Sequence, residues 1–532
     1  MNILSFFQND ILTPLTFFPL FGALLLMLVP SRAVAQIRMV AFTASAVPLI
    51  LVWQILKSFD PHNADLQFRS HGEWIRALNI HYVVGLDGLS IAMVLLVSIL
   101  TPLTILGALR FLGEPEESRA GAKPFFALLL LEQTGLYGAF TAVSFFHWFI
   151  FWEASLVPLF FLIKLYGNED RTTAAYQFFV YTFIGSVAMV IGMQFVYLAT
   201  GTWDFKELAA LAHAPHASGG TELSFKIEQY AATFGIPFLT QHAMTLLFFM
   251  VLIGFAIKVP LWPFHTWLPV SYTQAPTAGS MILTGLMSKM GVYGFLRVVL
   301  PIFSTSVSEY SPLLTSLAVL TIVFGALGAL AQRDLKTLVA YSSVSHLGYC
   351  LLGVFVVGAI GGSVNDRALA LNGVIVQMFA HGLSGAGLFY FVGLIEQRTG
   401  TRDLSDLGGL RKTIPVFAGV MGIVLFASLG LPGLAGFVGE FMIFRGAFPL
   451  SMTMIAVAVL GLLLTALYLL RMMDKVFFGP QDDRWNQVAD LSGIERLVGG
   501  FLAVSLFVVG MVPAPLVTLS NSAVTQLAKL FS

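Results

Sequence analysis

The sequence has little charge and almost no cysteine. Only 11% of its 532 residues are Asp, Glu, Lys or Arg, whereas soluble domains carry about 25%. The formal net charge is zero, which argues against a strongly basic nucleic-acid surface. The one cysteine, Cys350, cannot ligate an iron–sulfur cluster or form a cysteine zinc site, and its apolar surroundings predict a packing residue. No G-x-G-x-x-G motif follows a strand, so no dinucleotide site is expected.

Long apolar runs make up most of the chain. Apolar residues account for 57% of it, with a mean hydropathy of +0.85, and no strand-like alternation indicates a barrel. A helix needs about 20 apolar residues to cross the hydrocarbon core. Fourteen segments meet this need: Ile11–Val29, Ile37–Leu56, Val83–Phe111, Phe125–Val143, Phe145–Tyr166, Ala175–Thr200, His242–Leu268, Gly279–Leu300, Pro312–Ala331, Leu338–Gly358, Ala368–Ile395, Pro415–Phe448, Met452–Phe478 and Arg496–Pro513. We therefore predict an all-α polytopic membrane protein with about 14 transmembrane helices.

The distribution of basic residues predicts an orientation. The first apolar segment has no basic start or small-residue cleavage site, so we expect a retained helix. With the N-terminus outside, most of the 28 Lys and Arg residues fall in cytoplasmic loops, as the positive-inside rule requires. That cytoplasmic set includes Arg110, Arg119 and Lys336, and the smaller outer set includes Arg76. We expect a multi-pass protein of the bacterial inner membrane with both termini on the outer, periplasmic face.

Two of the apolar segments contain helix-breaking residues. Pro260 and Pro263 interrupt the seventh segment, and Pro432 and Gly433 interrupt the twelfth. Irregular backbone at membrane depth is tolerated only where protein or water satisfies it. Two interrupted segments at matching places in two halves indicate a transport site between repeats. Proline and glycine are also frequent in membrane helices without any such role, which is the simpler alternative.

The positions of the two interruptions predict internal repeats. Five helices per repeat is an odd number, so successive repeats have inverted topology, and each repeat places its broken helix fourth. The predicted units are an N-terminal group of three transmembrane helices at 1–112, a first five-helix repeat with helix 7 broken at 125–300, a second repeat with helix 12 broken at 312–478, and a C-terminal helix with a tail at 496–532.

A series of ionisable residues lies inside the apolar segments. A charge at bilayer depth costs at least a few kcal/mol, so such residues usually carry function. A proton relay needs groups that can gain and lose a proton near neutral pH. Desolvation and counter-charges can move the pKa values of carboxyl and amino groups towards neutrality, and the pKa of histidine already lies there. The sequence therefore predicts a relay through Glu153, Lys258, Lys289, His346, His381 and Glu440, with Glu132 as a further candidate.

Each of these residues also has a simpler structural interpretation. A single membrane histidine often makes only a helix–helix hydrogen bond. Glu153 and Lys258 could form a static ion pair, although such pairs contribute little stability once desolvation is counted. Glu132 could hydrogen-bond a neighbour and do nothing more. Asp87, at the start of the third segment, is a candidate helix cap.

Four motifs carry a family resemblance. They are I-K-V-P-L-W-P-F-H-T-W-L-P with the following Q-A-P-T-A-G-S at 257–280, Q-R-D-L-K-T-L-V-A-Y-S-S-V-S-H-L-G-Y at 332–349, F-W-E-x-x-L-V-P around Glu153, and G-F-V-G-E-F around Glu440. From about Asp87 to Phe478 the chain resembles the antiporter-like membrane subunits of respiratory complex I (NADH:quinone oxidoreductase), in particular the family of subunit M, mitochondrial subunit 4. Glutamate at position 440 favours that family, because the two related subunits usually carry lysine there.

The resemblance implies roles for the residues and for the chain. Glu153 would pair with Lys258, and Lys289 would bridge the two half-channels for protons. Glu440 would face the outer exit of the proton path. The chain would move protons within an enzyme complex and hold no metal, cofactor or redox centre. NADH, FMN, iron–sulfur clusters and quinone would belong to partner subunits. Its membrane partners would be other complex I subunits, with homologous antiporter-like subunits on both sides.

One segment departs from the family pattern, and other functions stay open. The family commonly reads D-A-H-T-E-A-P where this chain has Val270, Ser271, Tyr272, Thr273 and Gln274 before Ala-Pro. Either proton uptake at the cytoplasmic side uses other groups, or the chain is a variant second copy of the subunit. The alternatives are the large subunit of a multi-subunit sodium/proton antiporter, a membrane subunit of an energy-converting hydrogenase, and a scaffold whose buried charges do not pump.

Overall fold

A computed structural model describes residues 10–75, 80–109, 111, 121–217 and 219–532. Within these residues the chain is helical except for one β-hairpin and the connecting segments. The elements are α1 Leu12–Leu28, α2 Val34–Ser58, β1 Gln67–Ile75, β2 Ile80–Leu86, α3 Ile91–Ala108, α4 Ala122–Thr141, α5 Phe145–Ala154, α6 Leu156–Tyr166, α7 Arg171–Thr200, α8 Phe205–His213, α9 Glu222–Ala232, α10 Pro237–Lys258, α11 Trp267–Gln274, α12 Thr277–Ile302, α13 Ser304–Ala331, α14 Leu335–Phe355, α15 Val364–Thr399, α16 Pro415–Leu429, α17 Ala435–Ala447, α18 Met452–Phe477, α19 Gly493–Met511 and α20 Ala514–Lys529.

The helices confirm the predicted class of membrane protein. Eleven helices of the described chain, with α5 and α6 taken together, are long and apolar enough to cross a membrane. The helices α1 and α16 are apolar but shorter, with 17 and 15 residues. Each of the fourteen expected segments overlaps a helix or a broken pair of helices. The count of fourteen crossings, the inverted repeats and the unit boundaries stay predictions. Arg76, Arg110 and Arg119, which support the predicted orientation, lie outside the described residues.

The predicted start of the third span is wrong. Val83 to Leu86 belong to strand β2, which pairs with β1 in an antiparallel hairpin that joins Gln67 to Leu86. The strand ends at Leu86. The Oδ1 atom of the next residue, Asp87, accepts hydrogen bonds from the backbone N–H groups of Leu89 (3.0 Å) and Ser90 (3.3 Å). The helix therefore begins only at Ile91, after the turn that Asp87 stabilises.

Asp87 also holds a buried ion pair. Its two carboxylate oxygens accept from the guanidinium nitrogens of Arg297 at 2.6 and 2.7 Å. A bidentate arginine–carboxylate pair is geometrically specific, so it fixes the hairpin and the start of α3 against α12. The sequence predicted a helix cap at Asp87, which is wrong, because Ser90 is the N-cap residue and the Asp87 side chain bonds the turn before the helix.

A predicted loop and the predicted C-terminal tail are more ordered than the sequence indicated. The predicted loop after α7 contains the short helices α8 and α9, which begin at the side-chain caps Asp204 and Thr221. The predicted C-terminal tail forms α20, which starts after Pro513 and packs against α15 and α3. The helices α8 and α20 each bury one face, as the spacing of their apolar residues predicts.

The two predicted interruptions are present. The helix α10 ends at Lys258, and an irregular segment of residues 259–266 precedes α11. Because this segment lies among helices, its donors need partners: Leu261 N–H donates to the Ala256 carbonyl (2.8 Å) and Trp262 N–H to Thr321 Oγ1 (2.9 Å). The second interruption separates α16 from α17 and begins at Gly430, whose φ of +82° suits glycine.

Three long helices form the centre of the molecule. In the most apolar 18-residue stretch of each helix, the share of buried residues is 94% for α12, 94% for α14 and 100% for α15. The same share is 33% for α2, α18 and α19. The helix α12 is not uniformly α-helical, because Leu283–Met287 and Phe295–Val299 are π-helical turns. Such turns leave backbone carbonyls free for other donors and frequently occur at functional sites. Lys289 lies between them.

Candidate functional site

Lys289 projects from the centre of α12 and is fully buried. Its ammonium group donates to the carbonyl of Thr284, in the preceding π-helical turn. It also lies 3.4 Å from Ser288 Oγ and 2.8 Å from Nδ1 of His381 on α15. Since an ammonium group has no acceptor, His381 Nδ1 must accept this bond. A neutral His381 then carries its proton on Nε2.

His346 continues the contact from His381 to Glu440. The rings of His381 and His346 lie 5.3 Å apart between centroids, at 35°. His346 Nδ1 is 2.9 Å from Glu440 Oε1, while its Nε2 has no hydrogen-bond partner among the described residues. Four buried residues on α12, α15, α14 and α17 thus form one series of contacts. We call them the central cluster: Lys289, His381, His346 and Glu440.

Glu440 has two further neighbours that fix its position. Gln377 on α15 donates from Nε2 to Glu440 Oε1 at 3.0 Å. A Cβ placed on Gly430, at the second interruption, would lie 3.2 Å from Glu440 Oε2. The break in the helix therefore brings irregular backbone beside a carboxylate that is only 4% exposed. A buried carboxylate needs such partners, because an unpaired one is strongly disfavoured.

A second group of ionisable residues lies on α10, α5 and α4. We call it the lateral cluster, and its members are Lys258, Glu153 and Glu132. Lys258 Nζ lies 3.9 Å from the centroid of the Trp152 indole and 3.5 Å from the Trp152 carbonyl oxygen. The two glutamates are near enough to interact electrostatically with Lys258. Within the described chain, however, no ion pair joins Lys258 to either of them. The expected partner Glu153 is the next residue to the tryptophan that Lys258 contacts.

The two glutamates of this cluster are incompletely hydrogen-bonded. Glu132 is fully buried, and both its carboxylate oxygens lack a partner among the described residues. Glu153 has one oxygen, Oε1, in the same condition. A buried carboxyl without partners is costly when ionised. The described contacts therefore do not form a fixed ion pair between Lys258 and either carboxylate.

The lateral and central clusters meet through backbone packing. A Cβ on Gly291 of α12 would lie 2.3 Å from Val259 Cγ2 and 3.4 Å from Lys258 Cβ, so α12 lies directly against the end of α10. Ser155 Oγ donates to Met290 Sδ at 3.7 Å beside Lys289. No hydrogen bond within the described chain joins Lys258 to Lys289. The two clusters are therefore neighbours without a direct hydrogen bond between their lysines.

The structure thus brings all seven predicted residues into two groups inside the helical core. Among described residues, no group of three or more His, Cys, Asp or Glu side chains has metal-binding geometry. Sequence reasoning missed three contributors: Trp152, Gln377 and the carbonyl of Thr284. Trp152 lies in the F-W-E motif and could have been noticed. Thr284 could not, because a π-helical turn has no clear sequence signal.

Lys336 is another buried lysine, and its predicted place in a cytoplasmic loop is wrong. It lies in the first turn of α14 with 1% exposure and donates to the carbonyl of Ala275 at 2.5 Å. Ala275 follows the segment that departs from the family pattern. In that segment Thr273 hydrogen-bonds Thr337 at 3.0 Å. Thr337 Oγ1 also donates to Asp334 Oδ1 at 2.9 Å, so an acid lies at this face although the segment 270–274 supplies none.

Comparison with known proteins identifies the family. Residues 142–465 match the family described as NADH:quinone oxidoreductase/Mrp antiporter, transmembrane. NADH-quinone oxidoreductase subunit M of Rhodobacter capsulatus is 35% identical over 527 residues, covering 98% of this chain and 97% of the relative. A chain of respiratory complex I from Thermus thermophilus superimposes with a TM-score of 0.81 at 28% identity, covering 98% of this chain and 100% of that one.

The same fold also occurs in an antiporter complex. A chain of the Mrp complex from a Dietzia species has a TM-score of 0.79 at 22% identity, and the match covers 98% of this chain and 100% of that one. This likeness concerns the fold alone, whereas the relative from Rhodobacter shares more than a third of its residues. The chain belongs to the NADH:quinone oxidoreductase/Mrp antiporter transmembrane family and is similar over nearly its whole length to subunit M of NADH-quinone oxidoreductase.

Proposed function

We propose that the chain is the proton-translocating subunit M of a complex I-type NADH:quinone oxidoreductase. The observation that carries the proposal is the central cluster, in which Lys289, His381, His346 and Glu440 follow one another at hydrogen-bonding or ring-contact distance. All four are at most 4% exposed. Four ionisable groups buried together would be a poor device for stability. They suit a path along which a proton is handed on.

The hydrogen bonds of the central cluster allow a proton to pass from Lys289 to Glu440. Lys289 holds a proton that it can give to His381 Nδ1, and His381 can release its Nε2 proton. His346 Nε2 is free to receive it, and the Nδ1 proton of His346 can then pass to Glu440. Each imidazole thus takes a proton at one nitrogen and releases one from the other. Release from Glu440 would be outward.

Lys258 would load this path from the cytoplasmic side. Close approach of Glu153 would hold the ammonium form, and withdrawal of Glu153 would favour the neutral amine and release of the proton towards Lys289. Moving one charge against the membrane potential costs about 2.3 kcal/mol per 100 mV. The enzyme must therefore couple this switch to an energy source. In a complex I that source is electron transfer from NADH to quinone, which we assign to partner subunits.

The proposal also covers partners and proton uptake. Cofactors such as FMN and iron–sulfur clusters would belong to other chains, and antiporter-like subunits would flank this one in the membrane. Uptake would not use acids in the segment Val270–Gln274. The polar groups at that face include Lys336, Thr273, Thr337 and Asp334. We propose that they and water replace the usual acidic groups.

A reconstituted complex tests the proposal. Glu440→Gln keeps the size of the side chain and the hydrogen bond to Gln377 but removes the ionisable group, so NADH-driven pumping into proteoliposomes should fall severely. Glu309→Gln is the matched control, because Glu309 is an exposed carboxylate on α13. Assembly is verified by native electrophoresis of both. Unchanged pumping by assembled Glu440→Gln would contradict the proposal.

The same preparation discriminates the alternative functions. Pumping should depend on NADH and quinone and should persist without sodium. Sodium-driven pH recovery without NADH would instead indicate a sodium/proton antiporter. Hydrogen evolution by copurifying partners would indicate an energy-converting hydrogenase. Normal pumping after neutral replacement of every buried charge would indicate a scaffold.

A further inference from the structure

Trp152 is the closest contact of the Lys258 ammonium group. The Nζ atom lies 3.9 Å from the indole centroid, well inside the roughly 6 Å within which a cation is attracted to an aromatic face. The Trp152 carbonyl oxygen accepts from the same Nζ at 3.5 Å. Trp152 is 1% exposed. With water excluded, the attraction between the ring and the ammonium group is not weakened by solvent, so the contact is an energetic interaction and not only packing.

The indole is held in place independently of the lysine. Its Nε1 donates to Ser186 Oγ on α7 at 3.0 Å. Its ring contacts Trp148 at a centroid distance of 4.6 Å and meets Phe255 edge-on at 5.5 Å and 83°. Three neighbours thus fix the plane of the ring before Lys258 is considered. A preorganised aromatic face is a binding site that loses little entropy on receiving the cation.

The lysine has two competing partners on adjacent residues. Trp152 and Glu153 follow each other at the end of α5, and Ser186 lies beside both of them. The Glu153 carboxylate has a free oxygen, Oε1, although a lysine is nearby. In the structure Lys258 Nζ therefore contacts the ring of Trp152, while no ion pair within the described chain joins it to the Glu153 carboxylate.

We propose that Trp152 is a positioning residue that holds the protonated Lys258 in the state in which it is separated from Glu153. The proposal rests on the proposed function, since it concerns the loading of Lys258. The indole prevents the ammonium group from facing bare hydrocarbon when the ion pair opens. It also keeps Nζ at the end of α10 that adjoins α12 and Lys289. Without it, the ion pair would open rarely and proton transfer would slow.

Fluorinated tryptophans test this proposal without changing the shape of the site. Each added fluorine weakens the negative face of the indole and hence the attraction to a cation, while the Nε1–H bond to Ser186 is kept. We expect NADH-driven pumping by the assembled complex to fall stepwise from tryptophan to tetrafluorotryptophan at position 152. The total fall should be on the order of twofold to thirtyfold, as the usual strength of such contacts implies.

Trp148 supplies the matched control. It lies one turn earlier on α5, is equally buried, and has no lysine or arginine over its ring within the described chain. The same fluorine series at position 148 should leave pumping unchanged. A flat series at 152, or equal falls at 148 and 152, would overturn the proposal.

A parallel Lys258→Ala variant separates this inference from the proposed function. If Lys258→Ala pumps normally, the lysine carries no proton and the proposed function fails together with the inference. If Lys258→Ala does not pump but the fluorine series at 152 is flat, only the role of Trp152 is refuted. Loss of pumping in Lys258→Ala with a graded series at 152 supports both.

Discussion

A methyl group added at Gly439 should disturb the central cluster without touching any titratable group. Gly439 precedes Glu440 on α17 and packs against the backbone of α15. A Cβ there would lie 2.6 Å from Gln377 Oε1 and 2.7 Å from both its N and Cα atoms. Ordinary carbon contacts are about 3.5 Å, so Gly439→Ala must move α17 away from α15 by roughly 0.8 Å. Backbone atoms line the contact, so no flexible side chain can yield instead.

The displacement has a calculable consequence at Glu440. The Gln377–Glu440 hydrogen bond is 3.0 Å long, and moving α17 away from α15 by roughly 0.8 Å takes it beyond the range of a hydrogen bond. The carboxylate then loses the donor that fixes its position beside His346. Overpacking costs about 1–3 kcal/mol of stability, against a gain of about 1 kcal/mol in helix propensity. We therefore expect an assembled complex, slightly destabilised, whose pumping falls severalfold or more.

The assay is NADH-driven acidification of proteoliposomes, normalised to assembled complex on a native gel. Gly419→Ala is the control, because Gly419 lies on α16, in the same interrupted pair of helices, with nothing within 4 Å of its Cβ position. Wild-type pumping by Gly439→Ala would show that the geometry around Glu440 does not govern transfer.

Three other results are expected. Glu153→Gln and Lys258→Ala should each leave an assembled complex that pumps little, and the double variant should lose little more than either single one, because the residues act as a unit; full pumping by Glu153→Gln would refute this coupling. Cys350→Ala should cost about 1 kcal/mol in thermal unfolding and no activity, and loss of a metal or cluster from the purified chain would show that its packing role is wrong. Impermeant reagents should reach tags at both termini from the outer face and a tag in the Arg398–Lys412 loop only from the cytoplasm, whereas termini on opposite faces would require an odd number of crossings.

The interrupted helices were predictable because proline acts locally. Pro260 and Pro432 lack a backbone donor wherever they stand, so a break at each could be inferred from the sequence. Lysines and glutamates inside apolar runs were equally visible, because their cost in a membrane does not depend on tertiary detail. The positions of the candidate residues along the chain were therefore available before the structure.

Their partners were not predictable, because partners depend on packing between distant segments. The contact of Lys258 with Trp152 joins residues 106 apart, and that of His346 with Glu440 joins residues 94 apart. The strand at Val83 was missed because its apolar residues run continuously into those of α3, and apolar content alone cannot distinguish a short buried strand from a helix. Lys336 was assigned to a loop because charge counting takes no account of burial.

The central claim is that Lys289 receives a proton from the lateral cluster and passes it on within the central cluster. The most direct measurement is proton pumping by Lys289→Arg, compared with Lys289→Ala and wild type in the same assembled complex. Arginine keeps the positive charge but scarcely releases its proton, so a carrier should fail with arginine as it fails with alanine. We predict that both variants assemble and that neither pumps at more than a small fraction of the wild-type rate. Wild-type pumping by the arginine variant would show that Lys289 supplies only charge and that protons bypass it through water.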